Sequence, residues 1–517
     1  MKNFGLLFLL LFLPSSRAVA QYLLGVSSGN YAGTNGLYLN PAHVADSRHK
    51  VFVNLATYDN FLTNNYLAWG APYSINGLLT NSVGDRYRSS RGLILFREEY
   101  LIEKLNGRDK RITLGADLRG PSVLYTINDR FGVALTSRLR LGGSLTHVSQ
   151  SVAGLMRHGT TETTRIEPED FGTGFSLNLN GYAEFGGTFG AVLINSDVDF
   201  LKAGVTLKRL VGLYSAHMLA SNLAYRFMPD LNRRGRVNVL IENVDVRYGI
   251  TDEDAFGNAR PTPQFLLGRQ SAGGGWGVDL GFVYEYRPDI DQYDYREKGV
   301  RRFDPGQNKY RYRLSVALLD VGAVRYRNPA YVSAYDVSRT NRLIDNNAFD
   351  NVGGSDNFVA ALNTTLAVGD NDRQTSFRSA LPTALQVNLD YKIKENVYVN
   401  ALVMQRLGST RNIGMTAPNV LALTPRYERK WLEASLPLVF FDDYRAVTIG
   451  LALRAGPIFI GTDHLPGFLN IAKPKGYDVY FGANIPIFRH RPAGPDACWY
   501  EKKEKKGVRK LMFWKKE

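Results

Sequence analysis

Apolar and polar residues alternate over long stretches of this chain. Between Trp276 and Arg287 every even position is apolar or aromatic, while the odd positions carry two glycines, a valine and three charged residues. The stretch 131–141 alternates in a similar way, with arginine at positions 138 and 140. Because successive side chains of a strand point to opposite faces, this period predicts β-strands with one apolar and one polar face.

The predicted strands are long. Several reach eleven residues or more, whereas strands of soluble proteins average about six, and aromatic residues at the ends of an apolar face are typical of strands that cross a bilayer. The pattern therefore predicts an all-β fold, an antiparallel transmembrane β-barrel of about fourteen strands. The predicted strands are 51–58, 112–127 (bent at Gly120-Pro121), 130–145, 172–185, 200–212, 215–227, 235–248, 276–287, 309–325, 384–393, 397–405, 431–441, 445–460 and 477–488.

The lengths of the connections support a barrel. Short polar turns are predicted at 128–129, 229–234, 394–396 and 442–444, and long polar loops at 59–110, 147–170, 251–273, 326–383 and 407–429. With both termini in the periplasm, short turns would face the periplasm and long loops the outside. The link 288–307 is too long for this scheme, and the link near Leu213 is too short.

Both ends of the sequence have a distinct composition. Residues 1–20 combine a basic start, an apolar run and an Ala18-Val19-Ala20 cleavage pattern, which predicts a signal peptide. The segment 489–517 carries ten Lys or Arg and four Asp or Glu, so it supplies +6 of the formal net charge of +15. We interpret 21–49 as an N-terminal segment, 50–488 as the barrel and 489–517 as a basic periplasmic tail. An exported barrel of this kind belongs in the outer membrane of a Gram-negative bacterium, and nucleic acid is not an expected partner.

Motifs for enzyme chemistry are missing from the sequence. The seven histidines have no metal-ligand spacing, Cys498 is the single cysteine, and no nucleophile elbow is present. Asp442-Asp443 is typical of a turn and does not indicate a catalytic pair. We therefore expect neither an enzyme nor a cofactor. The candidate lumen-lining residues are the charged ones on the predicted polar faces, namely Arg138, Arg140, Asp279, Glu285, Arg287, Arg311 and Arg313.

Several segments resemble known barrel families. The element Asn40-Pro41-Ala42, just ahead of the first predicted strand, resembles the long-chain fatty-acid transporter (FadL) barrels and the PorV-type barrels of type IX secretion. A combination of segments more specifically resembles an outer-membrane barrel family of Bacteroidota that is defined as a domain of unknown function. These segments are 120–123, 128–132, 312–326, 424–428, 453–457 and 461–463.

The resemblance implies a location and a class of function. It implies that the N-terminal segment lies in the lumen as a hatch, with Asn40, Pro41 and Ala42 as its motif. It also implies passive transport or binding of a hydrophobic or amphipathic small molecule, with outer-membrane lipid around the barrel. The alternative is a non-transporting barrel that serves as a scaffold or shuttle for secretion or gliding machinery, with a secretion or periplasmic protein bound through the basic tail.

Overall fold

A computed structural model gives the fold. It describes residues 23–490 apart from 160–166, 197, 231–236, 253, 258–261, 263, 265–270, 298–299, 346–347, 349–351 and 353, so the predicted signal peptide and most of the basic tail lie outside the described residues. Strands dominate. None of the helices in the described part is long and apolar enough to cross a membrane.

Fourteen wall strands close an antiparallel barrel, as predicted. Each pairs with the next along the chain, and the first and last strands pair with each other from His49 with Phe488 to Thr63 with Gly476. The wall consists of β1 (His49–Asn64), β4 and β5 (Lys110–Arg119 and Ser122–Thr126), β6 (Phe131–Val148), β7 (Glu169–Asn195), β8 (Asp199–Pro229), β10 (Gly273–Tyr286), β13 (Tyr312–Tyr326), β15 and β16 (Phe377–Ala380 and Ala384–Lys394), β17 (Val397–Arg406), β18 (Val420–Glu428), β19 and β20 (Leu432–Ser435 and Leu438–Phe441), β21 and β22 (Ala446–Ile449 and Leu451–Ala455), β23 (Ile458–Thr462) and β24 (Gly476–Phe488).

The remaining elements are not part of the wall. A protruding sheet continues β7 and β8 beyond the barrel and adds β9 (Val237–Thr251) and β14 (Val332–Ile344). Two hairpins are formed by β2 (Leu67–Trp69) with β3 (Leu101–Glu103), and by β11 (Asp294–Glu297) with β12 (Val300–Phe303). The described helices are Leu24–Ser27, Thr34–Leu37, Ile75–Leu79, Gln150–His158, Asp254–Gly257, Ser355–Leu366 and Leu465–Leu469, with 3₁₀ turns at Pro41–Val44, Asp85–Tyr87, Glu98–Tyr100, Ile290–Tyr293 and Asp370–Asp372.

The two ends of the barrel differ. At the short-turn end, connections of a few residues follow β5, β7, β16, β18 and β22, and the link 287–311 lies across the opening. The loop-rich end carries the long connections and the protruding sheet. The turns 442–444 and 229–234 were predicted with the short turns, but 442–444 lies at the loop-rich end, and β8 also runs toward that end before it stops at Pro229. In both cases the preceding strand runs in the opposite direction from the predicted one, and residues 231–234 lie outside the described residues.

Individual strand predictions were wrong in compensating ways. The predicted strands 200–212 and 215–227 are one strand, β8, whose bulge at Leu213 reverses the alternation and so looks like a break in the sequence. The predicted strand 235–248 corresponds to β9 in the protruding sheet. In contrast, β18 was missed, and 445–460 contains two wall strands that turn at Gly456-Pro457. The predicted and observed counts are still both fourteen, because two of the predicted strands are not separate wall strands and two of the observed wall strands were not predicted.

The outer surface of the wall is apolar between two rims. Large apolar side chains such as Leu135, Leu280, Phe282 and Ile460 are exposed on it. The ring of Tyr312 contacts those of Tyr284 and Tyr286 at the short-turn end of this band. An apolar outer band edged by aromatic residues is the surface that a bilayer covers.

Candidate luminal site

The chain ahead of β1 fills the lumen. We call residues 23–48 the luminal segment; it contains the two short helices Leu24–Ser27 and Thr34–Leu37 and the 3₁₀ turn Pro41–Val44, and most of its residues are buried. Its turn contacts β6, β7, β8 and β10, while its first helix contacts β18, β19, β22 and β23 on the other side of the barrel. The luminal segment therefore bridges opposite walls.

The motif 40–42 fixes the middle of this segment. The side-chain oxygen of Asn40 accepts a hydrogen bond from the backbone of Ala42 (2.9 Å), and Pro41 occupies the first position of the 3₁₀ turn, where its missing N–H costs nothing. The side-chain amide of Asn40 donates to the carbonyl oxygens of Phe282 and Val316, both at 3.1 Å. One residue thus caps the turn and binds it to two adjacent wall strands.

A row of four glycines receives the turn. Gly132, Gly190, Gly204 and Gly281 lie on four neighbouring strands and are paired in register with one another. A Cβ on any of them would lie within 2.5 Å of an atom of residues 40–44. The glycines are required here because the luminal backbone approaches the wall more closely than any side chain would allow.

Tyr38 is held between two arginines. The guanidinium groups of Arg119 and Arg138 each lie 4.4 Å from the centre of its ring. Arg119 also donates to the side chain of Asn35 (2.8 Å), and Arg138 pairs with Glu184 (2.9 Å). These contacts join the luminal segment to a buried ionic network.

This buried ionic network, which we call the mid-lumen network, contains three of the predicted lumen-lining residues. Arg138, Arg140 and Asp279 all point inward, and Arg140 pairs with Asp320 at 2.7 Å. Lys208 lies between Asp320 (2.6 Å) and Asp279 (2.7 Å). Network members that were not predicted are Asp117, Arg119, Glu184, Lys208 and Asp320. All but Asp320 occupy inward positions that a full search of the alternating strands would have found.

Two further predicted residues lie near the short-turn end. Arg287 pairs with Asp46 of the luminal segment (3.0 Å) and with Glu285, and Arg48 donates to the carbonyl oxygen of Pro305 in the link 287–311 (3.1 Å). Burial alone would raise the pKa of Asp46, but the charges of Arg48, Lys309 and Arg287 hold it well below its usual range. Asp46 therefore stays ionised, and it joins the segment to the wall.

Arg313 reaches the start of the luminal segment, whereas Arg311 does not. Arg313 donates to the side chain of Asn30 (2.7 Å) and to the carbonyl oxygen of Ser28 (3.1 Å). Arg311 was predicted to face the lumen, but it is exposed and donates to Tyr391 on the outer surface. The alternation that suggested an inward direction stops at Tyr312, where β13 begins.

One side of the lumen is apolar. Leu24 and Leu39 of the luminal segment pack in a buried cluster with wall side chains from β13, β16, β17, β18 and β20, which we call the apolar luminal cluster. Its wall members are Ala317, Leu319, Ala384, Leu402, Met404, Val420, Ala422 and Val439, and Ala417 joins them from the connection before β18. Because the interior of a transmembrane barrel is ordinarily polar, this cluster is an unusual surface.

Three buried carboxyl groups lie apart from the ionic networks. Asp463 accepts hydrogen bonds from the backbone of Leu24 and from the hydroxyl of Tyr480, both at 3.0 Å, and Asp478 accepts from the backbone of Asp463. Neither carboxylate oxygen of Asp59 has a hydrogen-bond partner in the described part of the chain. No group of three or more histidine, cysteine or acidic side chains there could hold a metal ion.

Similarities to solved structures are distant. A FadL homologue of Pseudomonas aeruginosa is 11% identical, with a TM-score of 0.37 and coverage of 88% of this chain and 94% of that chain. The toluene transporter TbuX of Ralstonia pickettii is 10% identical (TM-score 0.36; 89% and 95% covered), and the toluene transporter TodX of Pseudomonas putida is 11% identical (TM-score 0.29; 92% and 97% covered). No curated protein matches the sequence.

A family profile matches most of the chain. The match covers residues 41–463, from Pro41 of the motif to Asp463 beside the first luminal helix, and it confirms the predicted resemblance to a family without an assigned function. The chain belongs to the Family of unknown function (DUF5723).

Proposed function

We propose that this protein is an outer-membrane barrel that binds or passes a hydrophobic or amphipathic solute, with the luminal segment as its gate. The observation that carries the proposal is the apolar luminal cluster. Its eleven buried apolar side chains would offer a hydrophobic surface to a solute that displaces the luminal segment.

A route toward the cluster begins at the loop-rich end. A small cavity of about 20 Å³ lies there, and its lining includes Leu381, Ile413, Met415 and Ala417. Ala417 also belongs to the apolar luminal cluster, so apolar side chains continue from the loop-rich end to Leu39. A solute that followed this surface would meet the luminal segment and would have to displace it.

The gate is held by polar contacts and not by covalent bonds. Asn40, Tyr38 and Asp46 each bind a different part of the wall. A solute that replaces Leu24 and Leu39 in the apolar cluster would favour a displaced segment through its higher affinity for that state. In the proposed orientation, the short-turn end and both termini face the periplasm.

Uptake of a fluorescent long-chain fatty acid by cells tests the proposal. We expect Met404→Gln, which places an amide in the apolar cluster, to reduce uptake, and Met404→Leu to preserve it. Deletion of residues 21–41 should change uptake in a barrel that still inserts. Unchanged uptake in both variants, with normal amounts of folded protein, would contradict a hydrophobic route.

The ionic contacts of the luminal segment favour a second candidate function. Arg119, Arg138 and Arg287 hold the segment as a fixed plug would be held, which suits a barrel that displays partners and transports nothing. Such a scaffold or shuttle would bind a secretion or periplasmic protein, with the basic residues of 489–517 as one contact. Copurification of a stoichiometric protein partner that is lost when 491–517 is removed would support this alternative.

A further inference from the structure

A wide concavity lies on the outer face of the wall and not in the lumen. It has a volume of about 930 Å³ and lies where β8, β10, β13 and β15 meet the loop-rich end. Its floor is made of small residues, Gly273 to Gly275 on β10 and Gly322-Ala323 on β13. Glycines on an outward surface leave room for a molecule to approach the backbone.

Four arginines line this concavity. Arg209, Arg325, Arg327 and Arg378 contribute to its lining, together with Trp276, and no acidic residue is found among its described lining residues. Arg325 and Arg378 are exposed and stand directly opposite each other in the pairing of β13 with β15. Like charges at directly opposed positions of a sheet destabilise it. Within the described chain, neither guanidinium has a hydrogen bond or ion pair, so nothing there offsets this repulsion.

The remaining side chains shape the concavity. Arg209 lies 5.4 Å from the centre of the Trp276 ring and donates to the carbonyl oxygen of Gly275 (3.1 Å). The chain around Arg327 is fixed by the hydrogen bond from its backbone to Ala272. The positive charges are therefore presented around a rigid aromatic and glycine surface.

The position of the arginines relative to the apolar band indicates the kind of ligand. From Trp276 to Tyr284, β10 spans eight residues, about 26 Å of strand at about 3.3 Å per residue. Leu280 and Phe282 lie between these two aromatic residues on the same outward face. Trp276 and Arg209, paired in register, thus mark the loop-rich edge of the band, at the level of lipid headgroups.

We propose that this concavity, the arginine pocket, binds a membrane lipid whose headgroup phosphate gives it a net negative charge. Guanidinium groups bind phosphate oxygens in pairs of parallel hydrogen bonds, and Trp276 would pack against the apolar part of the same lipid. The phosphate would offset the repulsion between Arg325 and Arg378. The pocket is separate from the luminal route and does not depend on it.

Native mass spectrometry of the full-length protein, released from a neutral detergent, tests the pocket with diphosphoryl lipid A as the probe. We expect a bound lipid in the wild type, binding that weakens as salt rises, and no comparable binding of phosphatidylcholine. The double variant R325Q/R378Q should bind diphosphoryl lipid A at least about tenfold more weakly, since each basic residue near a charged lipid surface contributes about 1 kcal/mol, about a fivefold effect.

The matched control removes two arginines from the other end of the barrel. R130Q/R311Q carries the same change of charge, and both residues are exposed near the short-turn end; this variant should bind the probe as the wild type does. Heat-modifiable mobility on a gel shows whether each variant is folded. Should R325Q/R378Q fail to fold, the single variants R325Q and R378Q take its place, and wild-type affinity of both for lipid A would exclude the pocket.

Three outcomes would overturn the proposal. Equal affinity of R325Q/R378Q and the wild type for lipid A would exclude the arginine pocket as the site. Equal binding of phosphatidylcholine, whose phosphate is balanced by choline, would show that net negative charge is not recognised. Arginine-dependent binding of millimolar inorganic phosphate without binding of lipid A would identify a site for a free anion and not for a lipid.

Discussion

The side-chain oxygen of Asn40 lies 2.1 Å from the place that a Cβ of Gly281 would occupy. The motif of the luminal segment and the glycine of β10 are therefore one unit, although 241 positions separate them in the sequence. A substitution that adds a side chain at Gly281 would therefore displace Asn40.

A methyl group at position 281 should release the luminal segment. We expect G281A to break both hydrogen bonds from Asn40 to the wall, which costs about 1–3 kcal/mol for the polar groups left unpaired. Accessibility is measured by maleimide labelling of T34C in a C498S background, because Thr34 is buried. G187A is the control, since a Cβ there meets nothing within 4 Å. Equal labelling of both variants would contradict a docked motif.

The ring of Tyr38 should be needed to hold the luminal segment in place, whereas its hydroxyl should not be needed. The hydroxyl is buried without a hydrogen-bond partner in the described chain, so Y38F should keep the segment closed and be as stable as the wild type or slightly more so. Y38L removes both cation–π contacts, each worth about 1–2 kcal/mol when desolvated, and should increase the labelling of T34C. If Y38F opened the segment as much as Y38L, the stacking account would be wrong.

Asp59 and Asp117 face each other across β1 and β4, and their substitution should have opposite effects. Asp59 has no partner in the described chain, whereas Asp117 pairs with Arg119 at 3.2 Å. We expect D59N to raise the temperature at which the barrel loses its fast mobility on a gel, because an unpaired buried carboxylate is removed. D117N should lower it, by about 3 kcal/mol or more of unfolding free energy, because it leaves Arg119 and Arg138 undercompensated. A loss of stability in D59N would contradict the account of Asp59 as an unpaired acidic group.

The hairpin of β2 and β3 should loosen at low pH. Glu103 accepts hydrogen bonds from Tyr66 and from His158, and Arg157 lies beside it. Burial raises the pKa of Glu103, but the contacts with Tyr66, Arg157 and His158 together lower it by more. The pKa of Glu103 in the folded protein is therefore below its usual value. The stabilisation is then fully present above the ordinary pKa of about 4.3 and is lost as the pH falls through the depressed value.

Hydrogen exchange over 67–69 and 101–103 measures this effect. At pH 6 we expect E103Q to be less protected than the wild type, and at pH 3 the difference should be smaller. Comparing both proteins at one pH cancels the intrinsic exchange rate. A difference that is the same at both pH values would mean that the charge of Glu103 does not hold the hairpin.

The barrel could be predicted from the sequence because alternation reports which face of a strand a residue occupies. Arg138, Arg140, Asp279 and Arg313 were found in this way. Prediction failed where the backbone departs from regular pairing. Asp320 sits at a bulge with φ of +55°, and the bulge at Leu213 reverses the faces of β8.

The arginine pocket could not be predicted from any one strand. Arg209, Arg325 and Arg378 are separate in the sequence, and only the register of β8, β10, β13 and β15 brings them to one surface. The role of the four glycines that contact the luminal segment could not be predicted either, because the sequence of a strand does not show which part of the chain packs against its glycines. Long-range register is a property of the closed sheet and not of local pattern.

The pairing of β1 with β24 also constrains the order of assembly. The luminal segment immediately precedes β1 and contacts strands on both sides of the barrel, while the link 287–311 lies across the short-turn end. Closing the seam between His49 and Phe488 encloses the segment. The simplest route to this state places residues 23–48 on the sheet while the seam is still open, so that the last strand to join traps a plug already in place.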